Sequence, residues 1–176
     1  LAYAALGERA LATTTKEVRM PEDLGGLDIR IMSTPLLVDL FVGLGARPRA
    51  MAFADAEAAF RAGTLSAQEG TPATFAAARL DALGVRHVIL WRAVAEAAVF
   101  AVNRAVWKGW SDEQRRFVAE AAQQAANELP ALVRSENDAA LAELRKRGVA
   151  VTRLTATGQR AFAAAARGVY DRWATV

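Results

Sequence analysis

The chain has 176 residues, a formal net charge of +3, a pI near 9.8 and no cysteine. That length suits one domain or part of a two-lobed protein. The missing thiols exclude a disulfide framework, a thiolate metal site and a cysteine nucleophile, while leaving the compartment open. The hydrophobic fraction of 53% rests heavily on alanine, so helix faces are expected to be small and closely packed. No apolar run reaches the roughly 18 residues of a membrane span. No basic-then-apolar leader opens the chain either, so it reads as soluble, with any export signal expected upstream of Leu1. The 22 basic residues are scattered. Their densest cluster, Arg145 to Arg147, sits where a helix ends and cations suit its dipole. No basic run is interleaved with aromatics, so no nucleic-acid partner is expected.

In chain order, Leu1 to Leu6 reads as the apolar tail of a strand, and its abrupt start suggests a fragment. Pro21-Glu-Asp is a turn feeding an alternating strand from Leu27 to Met32. Pro35 opens a helix with Leu36, Leu37, Leu40 and Phe41 on one face, ending at Gly43 or Gly45. Arg49 to Phe53 is a short extended piece. Asp55 then leads a helix with Ala56, Ala59 and Phe60 inward, stopped by Gly63. Ala67 to Gly70 reads as a polar, glycine-ended loop, and Thr71-Pro72 starts another helix. His87 to Trp91 and Ala97 to Val102 read as strands. Ser111 with Gln114 is a capping box opening a helix to about Arg147, with a kink or break expected at Pro130. Val149 to Thr152 is a last strand, and a final helix carries Phe162, Val169 and Tyr170. Alternating strands and helices imply an α/β sheet protein.

The residues that invite chemistry begin with Arg30. A cation at a strand end, facing a loop after the next αβ unit, suits bidentate capture of a carboxylate. From spacing alone Arg30 reads more readily as an exposed strand-end arginine, Phe53 as a core aromatic and Gln68-Glu69 as a solvated loop. His87 is the only histidine; with no second histidine and no acid or serine at triad spacing it reads as structural. Glu69 with His87 as an acid–base pair is the enzyme reading, and wide separation of the two side chains would remove it. A helical interaction module, dimerising through the alanine face of the 111–147 helix (Ala119, Ala122, Ala126), is the other alternative.

Several blocks in order resemble the DctP-type solute-binding component of tripartite ATP-independent periplasmic (TRAP) transporters. Pro21-Glu-Asp-Leu-Gly-Gly-Leu-Asp-Ile-Arg30-Ile resembles the family's P-E-D-L-K turn followed by G-L-K-I-R-V. Gly45 to Phe53 resembles G-A-x-P-x-x-M-x-F, and Ala67 to Gly70 resembles G-Q-E-N. Val106 to Gln114 and Leu141 to Val151 resemble two further blocks, so the likeness runs from about Gly7 to Trp173. It implies a type II periplasmic-binding-protein-like fold of two α/β lobes, incomplete here, with a long helix crossing them. Residues 1–95 with 136–160 would form the ligand lobe, 96–135 would belong to the other, whose main body lies upstream, and 161–176 would be the C-terminal helix. The apolar faces of Ala97 to Val133 would then lack a partner, so the isolated chain is expected to associate or aggregate. Trp107 and Trp110 are expected beneath the start of the long helix.

By the same resemblance Arg30 would bridge to a substrate carboxylate and Phe53 would wall the cleft. Gln68 and Glu69 would lie on a loop facing the ligand. Gly70 departs from the family's frequent asparagine, which removes an amide contact and is expected to enlarge the pocket. Arg9 falls where the family places a second site arginine, though Glu8 replaces the preceding aromatic. Trp91 and Arg92 fall where it often has a cleft histidine. The implied activity is capture of an organic acid between closing lobes and delivery to TRAP permease subunits in the periplasm. It involves no catalysis, cofactor or metal.

Overall fold

The computed structural model describes residues 1–174; the last two residues of the expected C-terminal helix, 175–176, lie outside them. Eight strands and six α-helices are present among the described residues. The main sheet is built from short strands whose alternation sends apolar groups to two opposite cores. In β3 (Asp28–Ile31), Ile29 and Ile31 enter one core while Arg30 turns to the other face. Pro35 occupies the first turn of α1 (Pro35–Gly43), which buries Leu37, Leu40 and Phe41 at helical spacing. Gly45, at φ +79, then allows the reversal into β4 (Arg47–Ala50). The extended piece expected at residues 49–53 is thus shifted towards the N-terminus. Helix α2 (Phe53–Arg61) begins two residues before Asp55, so Phe53 is its first residue rather than part of the extended segment.

Ala67 to Gly70 is not a loop but strand β5, and all four residues are buried. Helix α3 (Pro72–Ala77) follows, with the Thr71 hydroxyl accepting from the Thr74 amide. Strand β2 (Ala10–Thr13), also fully buried, has no counterpart in the expected elements: its alanine-rich run is short and carries little strand propensity. With β6 (His87–Leu90) and β8 (Ala150–Arg153) these strands form a six-stranded sheet in the order β4-β3-β5-β2-β6-β8. β2 runs antiparallel to β5 and β6, and the other pairings are parallel. One face is covered by α1 and α6 (Ala156–Trp173), through Phe41, Phe162 and Val169. α2, α3 and the end of α5 cover the other, through Phe60, Phe75, Leu141 and Leu144.

A second, two-stranded sheet pairs β1 (Ala2–Glu8) with β7 (Ala95–Phe100), two residues earlier than the expected strand at 97–102. A short helix, α4 (Arg104–Gly109), follows and holds Trp107, whose ring lies 5.6 Å from that of Trp110. Helix α5 (Asp112–Lys146) starts with the expected capping box, Ser111 with Gln114. It runs unbroken through Pro130 for 35 residues, about 52 Å at 1.5 Å per residue. The break expected at Pro130 is absent because tertiary packing holds both halves: β1 lies against α5, and so do α3 and β8. Ala122 and Ala126 pack on Ala2 and Ala4 of β1, so these two residues of the alanine face are already covered within the chain, while Ala119 is partly buried. No helix among the described residues is long and apolar enough to cross a membrane.

Candidate functional site

The parallel strands β4, β3, β5, β6 and β8 all end at one edge of the sheet, and β2 enters from it. From β3 the chain leaves through α1 to β4 on one side, whereas from β5 it leaves through α3 towards the opposite side. The crevice outside the carboxyl ends of β3 and β5 is therefore a topological switch point, the usual position of a ligand in an open α/β sheet. Arg30 and Gln68 stand opposite one another there, in parallel register.

Arg30 is buried, at 6% exposure, and forms no ion pair among the described residues. Its Nε and Nη2 donate to the Met51 carbonyl oxygen at 3.2 and 3.0 Å, which aims the guanidinium without neutralising it. The guanidinium carbon lies 5.4 Å from the centre of the Phe53 ring, a cation–π contact, while Phe53 itself stays 40% exposed at the rim. Burial lowers the Arg30 pKa from its ordinary value; the charge of Glu69 acts against this and that of Arg9 with it. A buried cation without a carboxylate is costly, and an anion arriving there is strongly favoured.

Arg9 occupies the point where β1 becomes β2, and its surroundings are the opposite. Its Nε and Nη2 donate to the two carboxylate oxygens of Glu69 on β5, a bidentate pair. Its Nη1 donates to Glu96 on β7 at 2.8 Å. Burial alone would lower the Arg9 pKa, but the hydrogen bond and charge of Glu69, then those of Glu96, together raise it. Burial pushes the Glu69 carboxyl up, although Arg9 opposes this. The expectation of Glu69 on an exposed loop is therefore corrected: it is fully buried and committed to Arg9. Arg9 is likewise committed to protein carboxylates. Glu96 was not among the sequence candidates, yet a lone acid in the apolar run Ala95 to Phe100 was a legible signal.

Gln68 is buried too, and neither atom of its amide has a hydrogen-bond partner. It lines a groove of about 220 Å³ with Phe53 and Glu57 of α2 and Leu80 beyond α3. Gly70 does not enlarge the pocket: a Cβ there would lie 2.9 Å from Cε1 of Phe75, so that ring already fills the space. Trp91 belongs to the core, 1% exposed and stacked at 5.5 Å on Phe41. Arg92 is exposed at the return from β6 to β7, in left-handed backbone at φ 60, with Nε 2.8 Å from Glu8. The acid–base reading of Glu69 with His87 fails on register. Strand β2 lies between them, Glu69 facing Leu11 and His87 facing Thr13, and Glu69 is engaged by Arg9. No cluster of potential metal ligands exists among the described residues.

A crevice at a topological switch point, beside two crossovers between sheets and a long helix over both, is a place where open α/β proteins hold ligands. Residues 1–175 match the family described as bacterial extracellular solute-binding protein, family 7, DctP. The chain belongs to the DctP family. A TRAP periplasmic solute-binding protein from Ralstonia eutropha, solved with bound (S)-2-acetolactate, is 36% identical with a TM-score of 0.89. That likeness covers 99% of this chain and 57% of the other. A solute-binding protein of Verminephrobacter eiseniae is 29% identical over 86% of this chain and 45% of its own length. The 2,3-diketo-L-gulonate-binding periplasmic protein of Escherichia coli is 27% identical over 92% of this chain and 48% of itself. The chain thus spans about half the length of the DctP relatives it matches. Those relatives are solute-binding proteins rather than enzymes, and their fold is the α/β fold expected from the sequence.

Proposed function

We propose that the full-length protein captures a small organic acid through Arg30 and delivers it, from the periplasm, to the permease subunits of a TRAP-type transporter. The observation that carries this reading is the contrast in charge compensation. Arg30 is buried, aimed and unpaired at the switch point, so a substrate carboxylate supplies the missing counter-charge. The acetolactate bound by the Ralstonia protein and the diketogulonate named for the Escherichia protein are both carboxylates, which supports the class without choosing the acid. Phe53 walls the site beside Arg30, and Gln68 offers an unspent amide one strand away. Arg9 acts indirectly, by joining β5 to β7 across the junction of the two sheets.

The same junction supports a division into lobes. The chain passes between the sheets at Arg9 and again between Trp91 and Val94, and the Arg9 amide donates to the Val94 carbonyl oxygen at 2.9 Å. Residues 1–8 therefore group with 95–135, not with the ligand lobe to which the sequence reading assigned them. The outward Tyr3 and Val99 of the ribbon, 78% and 59% exposed, form the apolar surface that the other lobe would cover. Closure of the lobes over the acid buries its bridge to Arg30 in a drier site, where the attraction is stronger. Titration calorimetry of the full-length protein with a panel of organic acids and their carboxamides tests this reading. Binding of one acid class and of none of its amides is the expected result; equal binding of both would refute carboxylate capture.

A further inference from the structure

A second cavity, of about 460 Å³, lies where α5 passes over the junction of β1 with the ends of β6 and β8. Arg9 lines it, with its side chain already spent on Glu69 and Glu96, whereas Arg30, Phe53, Gln68, Glu69 and Gly70 do not. Its volume falls within the range of small-molecule sites. Its apolar floor comes from α5 and β6, and its rim carries charge from three parts of the fold: Arg134 and Asp138 on α5, Arg153 at the end of β8, and Arg92 with Glu8 at the crossover.

These charges do not cancel locally. Glu8 is engaged by Arg92 through Nε at 2.8 Å, which leaves the Arg92 terminal amino groups unspent. Arg134 and Arg153 have no ion pair or side-chain hydrogen bond among the described residues. Arg134 stands one helical turn from Asp138, a spacing that permits an ion pair, yet none forms. Asn137 projects beside them with its Oδ1 accepting from the Ala73 amide at 3.2 Å, which fixes the side chain and leaves Nδ2 as a donor. Two unpaired guanidinium groups, a third with spare donors and an oriented amide outweigh the single unpaired carboxylate. Planar guanidinium forks suit oxyanions.

We propose that this cavity is a second ligand site, taking a small oxyanion of two or more negative charges, with Arg134 and Arg153 as its principal ligands. Arg92 and the Asn137 amide complete it. An occupant touches β1 on one side and α5 with β8 on the other, so it bridges the two sheets behind their junction. This proposal does not depend on Arg30.

The test is titration calorimetry of the full-length protein with inorganic phosphate and with citrate, at constant ionic strength. The native protein and Arg30→Ala should bind one or both anions alike. Arg134→Ala combined with Arg153→Ala should bind at least about tenfold more weakly, while keeping the affinity for the organic acid at Arg30. Both arginines are exposed, so this variant should melt like the native protein; Arg134→Lys with Arg153→Lys should bind with intermediate affinity. Binding of phosphate alone would mark a phosphate-bearing ligand, and of citrate alone a polycarboxylate. Undiminished binding in the double alanine variant, loss in Arg30→Ala, or heats that vanish once ionic strength is matched would each overturn it.

Discussion

Two buried arginines stand at the carboxyl edge of the main sheet, 8% and 6% exposed, and they are placed in opposite electrostatic situations. Arg9 meets two carboxylates, one from β5 and one from β7, and spends three side-chain hydrogen bonds on them. Among the described residues Arg30 meets a backbone carbonyl and an aromatic ring but no carboxylate partner. The chain thus supplies counter-charge where two sheets must be joined and withholds it at the edge where the proposed ligand would enter. Burial alone does not separate structural from binding arginines; the identity of the acceptor does.

The largest effect that can break this comparison is on stability. Arg9→Ala strands Glu69 in the core, and loss of one member of such a buried pair costs about 3–5 kcal/mol. Urea unfolding of the full-length protein should register that loss, and Glu69→Gln should follow in the same direction. Arg30→Met should behave oppositely: removing an uncompensated cation leaves stability unchanged or higher, while acid binding falls by about 2–5 kcal/mol as the carboxylate loses its partner. Equal destabilisation by Arg9→Ala and Arg30→Met would erase the distinction.

A third change sharpens the shape of the crevice. Gly70→Ala places a Cβ against Phe75, which is fully buried, and overpacking of this kind costs about 1–3 kcal/mol. Phe75→Leu on that background should recover stability, and unfolding midpoints of the four combinations measure the coupling. The smallest effect lies outside both sites. Hydrogen bonding from Arg47, and then from Arg49, holds the Asp28 carboxyl below its ordinary value, against the opposing influence of burial. A depressed carboxylate contributes stability above its unfolded pKa of about 3.9, and loses it as pH falls through the lower, folded value. The melting temperature of Asp28→Asn should therefore approach that of the native protein at the acid end of a pH series.

Much of this was legible from residue order. The period of two in Leu27 to Met32 put Arg30 on the face opposite Ile29 and Ile31, and Pro35 and Ser111 marked their helix starts through cap chemistry. Gln68-Glu69 was misread because polarity was taken for exposure; the strand is central, and Arg9, sixty residues away, makes burial of Glu69 tolerable. Gly70 was misread for a related reason: a missing side chain suggested space, but the ring of Phe75 comes from an adjacent helix that spacing along the chain does not locate. Pro130 failed to break its helix because packing on either side outweighs one lost hydrogen bond. Tertiary contacts that residue type alone does not reveal were the common element in these misses.

Thermal unfolding of the full-length protein and of Arg30→Ala, with and without each member of an organic-acid panel, addresses the central claim most directly. An acid at about 100 times its dissociation constant should stabilise the native protein by roughly 2.7 kcal/mol. The account predicts that shift for one class of acid and its loss in Arg30→Ala, with the ligand-free melting temperature preserved. A shift of equal size in Arg30→Ala would show that the acid is held elsewhere and would contradict it.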